Sequence, residues 1–174
     1  MSQNLRVKSS EFIDETHRIS FKFDGKTYYG FKGDTLASAL IANNVHLVGR
    51  SFKYHRPRGI MTSGSEEPNA IVQINPGTNR TEPNVRATEV EIYEGLEASS
   101  QNCWPSVEFD IGGINNFLSP FFPAGFYYKT FMWPASFWEK YEFFIRYSAG
   151  LGKSPKTKDP DIYDHRNVNY DVLV

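Results

Sequence analysis

Residues 19–44, ISFKFDGKTYYGFKGDTLASALIANN, switch from a period of two to the helical period within one short run. Ile19, Phe21 and Phe23 alternate with Ser20, Lys22 and Asp24, the pattern of a strand that turns one face to a core. Asp24-Gly25 follows, a pair that reaches positive φ at little cost and closes two-residue hairpins. Lys26 to Phe31 is then expected to return as the second strand. Gly33-Asp34-Thr35 marks a helix start with Asp34 as N-cap, because a short side-chain oxygen there accepts an otherwise unpaired backbone N–H. Leu36, Ala39, Leu40 and Asn43 share a face at helical spacing. Asn43-Asn44 is the expected stop, since asparagine tolerates left-handed backbone.

Downstream, Val48 to Glu67 is irregular and rich in Gly, Ser, Arg and Pro. Ala70 to Ile74 reads as a strand ended by Asn75-Pro76-Gly77. Glu89 to Tyr93 alternates again, Val90 and Ile92 against Glu89, Glu91 and Glu94, and Gly95 is expected to end it. Hairpin, helix, loop and two more strands is the order of a β-grasp domain. The expected fold class is therefore α+β, with a β-grasp over residues 18–100 and an N-terminal arm over 1–17.

After about residue 100 the composition changes. The 174 residues include 14 Phe, 10 Tyr and 3 Trp, and about half of these rings lie between Phe117 and Tyr147. Ile111 to Leu118 is expected as a short helix broken at Ser119-Pro120. Pro134 to Ala149 is the stronger helix, with Pro at N1 and Phe137, Trp138, Tyr141, Phe144 and Ile145 on one face. Phe143 and Tyr147 lie outside that face, and a helix apolar over so much of its circumference is usually enclosed on more than one side. Pro120, Pro123 and Pro134 cut the segment into pieces too short to bury themselves, and aromatic residues are enriched where surface is shared with a partner. Phe121, Phe122, Phe126, Tyr127, Tyr128, Trp133 and Trp138 are thus interface candidates, with an ordinary core as the plainer alternative. The aromatic extension covers 101–152, and a polar linker around Lys153 to Asp161 covers 153–168.

A net charge of −1 gives no general pull toward nucleic acid or acidic membrane. No apolar run approaches the roughly 20 residues of a membrane span, and the first residues carry no signal-like stretch. One cysteine, Cys103, cannot form an internal disulfide, so a cytoplasmic protein is expected. Arg50, Lys53, His55, Arg56 and Arg58 interleave with Phe52 and Tyr54. That cluster suits a phosphate of a flavin or dinucleotide, an acidic surface of another subunit, or plain solvation. His17, His46, His55 and His165 have no metal-ligand spacing, and no metal site is expected. Glu66-Glu67 and Asp159/Asp161 lack the apolar setting that splits an acid/base couple. Ser63-Gly64-Ser65 lacks a nucleophile elbow. No catalytic residue is expected.

Three strings carry a family resemblance: GRSFKYHRPRGI at 49–60, GSEEPNAIV at 64–72 and SPFFPAGFYYKTFMWP at 119–134. They resemble the N-terminal region of the alpha subunits of heterotetrameric sarcosine oxidases, and the resemblance runs from about Arg18 to the last residue. It implies a β-grasp related to [2Fe–2S] ferredoxins, followed by nucleotide-binding and folate-binding domains. Tyr170 to Val174 then reads as the first buried strand of a Rossmann unit. Residues 169–174 would begin a nucleotide-binding domain, cut before its glycine-rich phosphate loop. A fragment, or a separately encoded head of a longer subunit, is expected.

A plant-type [2Fe–2S] cluster takes thiolates at C-x4-C-x2-C and a distant fourth. By the resemblance those positions fall on Thr62, Glu67, Ala70 and Thr88, and none is a thiol. Hydroxyls and a carboxylate are hard-oxygen donors and alanine donates nothing, so a domain without a cluster is expected. Cys103 alone cannot hold one. The resemblance further implies a complex that oxidatively demethylates sarcosine, with electrons passing to flavin and then oxygen, and tetrahydrofolate taking the one-carbon unit. FAD or NAD would be bound by the alpha chain, FMN near the alpha–beta boundary, and zinc in a small subunit. Substrate oxidation would lie in the beta subunit. This chain is then an inactive structural lid that holds no cofactor alone and contacts the remainder of the alpha subunit and the beta, gamma and delta subunits. The alternatives are a stand-alone β-grasp adaptor without redox role, or a subunit of a related flavin-dependent opine or amine dehydrogenase. The latter relatives tend to keep the cluster cysteines.

Overall fold

Two strands, β1 (Asp14–Phe23) and β2 (Lys26–Lys32), pair antiparallel as the expected hairpin, with Phe23 opposite Lys26. Asp24 and Gly25 take φ of 48° and 75° at its tip, which is where the Asp-Gly pair was needed. The computed structural model describes residues 3, 5–7, 12–121, 125, 133–148 and 150–171. β1 begins at Asp14, earlier than the alternation of Ile19, Phe21 and Phe23 indicates, and a bulge lies between Asp14 and Arg18. The helix α1 (Leu36–Ala42) follows, then a short antiparallel ladder of β3 (Gly49–Arg50) and β4 (Pro57–Arg58). β5 (Ile71–Ile74), β6 (Glu82–Arg86) and β7 (Leu96–Ser100) complete a five-stranded sheet in the order β2-β1-β7-β5-β6. Only the central pair β1·β7 is parallel. A mixed sheet of this kind carrying one helix fits the expected α+β, β-grasp class.

The core lies between that sheet and α1. Phe21, Phe23, Leu36, Leu40, Val72 and Leu96 are all buried there, and each such side chain contributes about 1.5–3 kcal/mol on leaving water. Gly30 on β2 faces the helix at a point of close approach. A Cβ there would stand 2.4 Å from Ile92 Cδ1 and 3.1 Å from Ala39 Cβ. The absence of a side chain lets α1 settle on the sheet.

Two expectations fail around α1. The N-cap is Thr35 rather than Asp34: the Thr35 hydroxyl accepts from the Ser38 N–H, while the Asp34 carboxylate turns away to other donors. Glu89 to Tyr93 is not a strand. Its alternation is genuine burial, with Ile92 2% exposed, but its backbone caps the helix instead of extending the sheet. The Val90 carbonyl accepts from Leu36 N–H at 2.7 Å, Ala87 O from Ala37 N–H at 2.9 Å, and Ile92 N–H donates to Asp34 O at 3.0 Å. First-turn N–H groups have no partner inside a helix, and the carbonyls of Val90 and of Ala87 just before the segment accept them. Gly95 leads into β7 rather than ending a strand. Thr35→Ala is expected to cost about 1 kcal/mol, read as a lower denaturant midpoint at unchanged slope.

Beyond β7 come a 3-10 turn (Ile111–Gly113), α2 (Ile114–Phe117), two further 3-10 turns (Ser119–Phe121 and Ala135–Phe137) and α3 (Trp138–Ser148). Pro134 sits before the helical turn with ψ 143°, not at N1 of α3. The described residues do not enclose α3, since Trp138, Phe143 and Phe144 are all exposed. Residues 153–170 contain no regular element. Among the described residues, no helix is long and apolar enough to cross a membrane.

Candidate functional site

Five basic residues running from β3 through β4 form the first candidate region, and the structure divides them. Arg50 donates from Nε to Val107 O at 2.8 Å, from Nη2 to Glu108 O at 3.0 Å and from Nη1 to His55 O at 3.2 Å. Its guanidinium is therefore spent on backbone carbonyls inside the chain. His55, with φ 53°, places Nδ1 2.7 Å from Asp110 Oδ2, and those side chains are 14% and 1% exposed. The other Asp110 oxygen accepts from Trp104 N–H and Gly112 N–H, so one carboxylate ties the loop to the 3-10 turn after it. Arg56 Nε reaches Asn116 Oδ1 at 2.8 Å, and its guanidinium stacks over Tyr54. Lys53 lies over the same ring at 5.0 Å. Arg58 is exposed on β4 and, with Arg50, Phe52, Asn69, Asn102 and Leu151, lines an open groove of about 320 Å³. In short, Arg50, His55 and Arg56 fasten residues 50–58 to residues 102–116. Arg58 stays exposed on β4.

The second region is the loop from Met61 to Ala70. Glu67 is 1% exposed. Its Oε2 accepts from Met61 N–H (2.8 Å), Thr62 N–H (2.6 Å) and the Thr62 hydroxyl (3.2 Å), and its Oε1 from Asn69 N–H (2.8 Å) and Ala70 N–H (3.1 Å). Burial alone would raise its pKa, but the backbone N–H groups of Thr62, Asn69, Met61 and Ala70 outweigh it and hold the carboxyl down at about 2. Thr88 donates from its hydroxyl to Gly64 O at 2.7 Å, and Arg86 Nε donates to Glu67 O at 3.2 Å. Thr62, Glu67 and Ala70 lie on this loop, and Thr88, from the turn after β6, reaches it through Gly64 O.

Sequence reasoning treated Glu67 as a vacancy and missed that it organises the loop. Nothing local to Glu66-Glu67-Pro68 distinguishes the buried acid from the exposed one beside it. Asp110 was also missed, although an Asp immediately before a short helix is a cap signal, and it does cap through Gly112. His17, His46 and His165 are exposed and separate. Among the described residues no group of three or more His, Cys, Asp or Glu is placed to hold a metal ion. Of the aromatic candidates, Phe121, Trp133 and Trp138 are exposed. Phe122, Phe126, Tyr127 and Tyr128 lie outside the described residues, as do Val172 to Val174 of the expected Rossmann strand.

Residues 16–103 match the family described as a 2Fe-2S iron-sulfur cluster binding domain. The chain is similar to the sarcosine oxidase subunit alpha of Rhizobium meliloti, at 59% identity over 172 residues, covering 98% of this chain and 17% of that protein. A subunit of the same name from a Corynebacterium species is 38% identical over 164 residues, covering 93% of this chain and 12% of that one. The chain thus spans less than a fifth of the length of these curated relatives. A crystal structure of L-proline dehydrogenase from P. horikoshii has a slight likeness, with TM-score 0.41 and 22% identity over 53% of this chain and 16% of that one.

The residues present do not fit the family's cluster. The Glu67 oxygens are fully engaged by N–H groups, the Thr88 hydroxyl is given to Gly64, and Ala70 offers no donor atom. Cys103 hydrogen-bonds Ser100, and burial pushes its thiol pKa up, which disfavours the ligating thiolate. With the match covering half of the chain, it belongs to the family of 2Fe-2S iron-sulfur cluster binding domains, as a member with no thiol at the expected ligand positions.

Proposed function

We propose that this chain is the N-terminal part of the alpha subunit of a sarcosine oxidase, a flavin-dependent amine oxidoreductase, and that its own role is structural. The observation that carries the reading is the 59% identity to a protein of that name across nearly all of this chain. The donor chemistry around Glu67 favours a domain that holds no cluster and passes no electrons. The exposed rings of Phe121, Trp133, Trp138, Phe143 and Phe144 favour a surface meant for cover by another part of the assembly. On this reading the whole complex oxidatively demethylates sarcosine with folate and oxygen as acceptors. FAD, NAD, FMN and zinc belong to the remainder of the alpha subunit and to the beta, gamma and delta subunits. This chain contributes no catalytic residue and is inactive alone.

Size-exclusion chromatography of the natively expressed protein, with full absorbance spectra across the peak, tests the proposal. Flavin bands on a particle far larger than 19.9 kDa are expected. A colourless 19.9 kDa monomer would overturn it in favour of an adaptor that folds alone. Trp133→Ala and Trp138→Ala are each expected to weaken assembly by about 2 kcal/mol or more while leaving the unfolding of the β-grasp core unchanged.

A further inference from the structure

Glu67 presents an unusual charge balance. Its carboxylate is buried, yet among the described residues no basic side chain lies within ion-pair distance of it. A buried charge without a counter-ion is costly unless hydrogen bonds replace its hydration. Here four backbone N–H groups from two stretches, Met61-Thr62 and Asn69-Ala70, converge on the two oxygens. Such converging N–H dipoles form an anion-binding concavity. The loop is held closed from outside, by Thr88 at Gly64 and by Arg86 at the Glu67 carbonyl, so its shape does not depend on the carboxylate alone.

We propose that residues 61–70 form a backbone anion-binding nest whose resident anion is the Glu67 carboxylate, and that a small free carboxylate such as formate takes its place when that side chain is removed. The positions corresponding to cluster ligands, Thr62, Glu67, Ala70 and Thr88, all belong to this nest or its closure. A thiolate-held cluster is itself rich in sulfur acceptors for hydrogen bonds. The departure from the family is then a substitution of one acceptor for another. The side chain brings the negative charge into the loop on a covalent tether, and no metal is needed to order it. This inference concerns the loop alone and goes beyond the assignment to an oxidase.

Hydrogen–deuterium exchange of peptides spanning residues 60–71, measured in the intact protein, provides the test. Glu67→Ala is expected to speed exchange there by about 10- to 100-fold, the loss of hydrogen bonds to a charged acceptor. Sodium formate is expected to restore most of the protection, sodium chloride at equal ionic strength to restore none, and the unsubstituted protein to respond to neither. Retention of full protection in Glu67→Ala, or an equal response to formate and chloride, would overturn the proposal. Should Glu67→Ala not accumulate as folded protein, Glu67→Gln carries the decision. Its amide N–H2 would face two backbone donors, so loosening of the same peptides is expected. Wild-type protection in that variant would show that the negative charge is not what the loop holds.

Discussion

Asp34→Ala is expected to cost about 3–5 kcal/mol of folding stability, the range for removing one partner of a buried ion pair. The Asp34 side chain is fully buried and Arg6 is 10% exposed. The guanidinium meets both carboxylate oxygens, at 3.1 Å to Oδ1 and 2.5 Å to Oδ2. The same oxygens accept from Phe31 N–H at 2.9 Å and the Ser38 hydroxyl at 2.8 Å. One carboxylate therefore joins the N-terminal arm, the end of β2 and the first turn of α1. The arm is held further by Gln3, which receives Arg6 Nε and donates to Tyr29 O, and by the stacking of Arg6 over Phe31 at 4.9 Å. Without Asp34, Arg6 loses its counter-ion and Phe31 N–H its acceptor. Arg6→Ala leaves the opposite orphan, so the double variant should lose about 1–3 kcal/mol less than the sum of the two single losses. Urea unfolding measures all three. Single losses within about 0.5 kcal/mol of zero would mean that the arm does not dock in solution.

The second large effect depends on acid. The Glu67 carboxyl is lowered from its ordinary 4.5 to about 2 in the folded protein. Below 4.5 the unfolded chain takes up a proton that the folded chain refuses, so the unfolded state binds more protons and stability decreases as the pH is lowered. The contribution is complete above about pH 4.5 and is lost as the pH falls through about 2. The difference of about 2.5 pKa units corresponds to about 3 kcal/mol. Glu67→Gln removes this titration. Its stability between about pH 5 and pH 2 should decline by about 3 kcal/mol less than that of the unsubstituted protein, with the other acids cancelling in the comparison. Chemical denaturation at several pH values gives the two slopes. Parallel slopes would show that the carboxylate is not held by the four N–H groups.

These two acids mark where sequence reasoning reached its limit. The hairpin was legible because Ile19, Phe21 and Phe23 alternate and Asp24-Gly25 can supply the positive φ on its own. The helix was legible for the same local reasons. Asp34 was placed in the right turn but given the wrong partner, since Arg6 lies 28 residues away and no local pattern announces it. β6 was hidden by Pro83 and by Asn84 at φ 60°, residues that suit only an edge strand, which is where β6 lies. β7 was hidden because Ala98, Ser99 and Ser100 are weak strand formers. They hold their place through β1 and β5 on either side. Glu89 to Tyr93 shows the converse: alternation reports which side chains are buried, and the backbone remained free to serve α1. The basic run was visible as charge, but that Arg50 is spent on carbonyls while Arg58 stays exposed depends on residues 102–116 folding back onto Arg50.

The parallel pairing of β1 with β7 has a consequence for how the protein is made. Lys22 on β1 meets Glu97 on β7 across 75 residues of chain, and Phe21 pairs with Leu96 at the centre of the sheet. A ribosome that has released β1, β2 and α1 has produced a hairpin and a helix with an open sheet edge between them. The molecule cannot close until Ser100 has emerged. Contacts so distant are slow to form because the entropy of closing the intervening loop comes before any of the gain. The nascent chain must therefore shelter the unpaired edge of β1 throughout that interval. Any interruption of synthesis before Leu96 leaves a sheet without its middle.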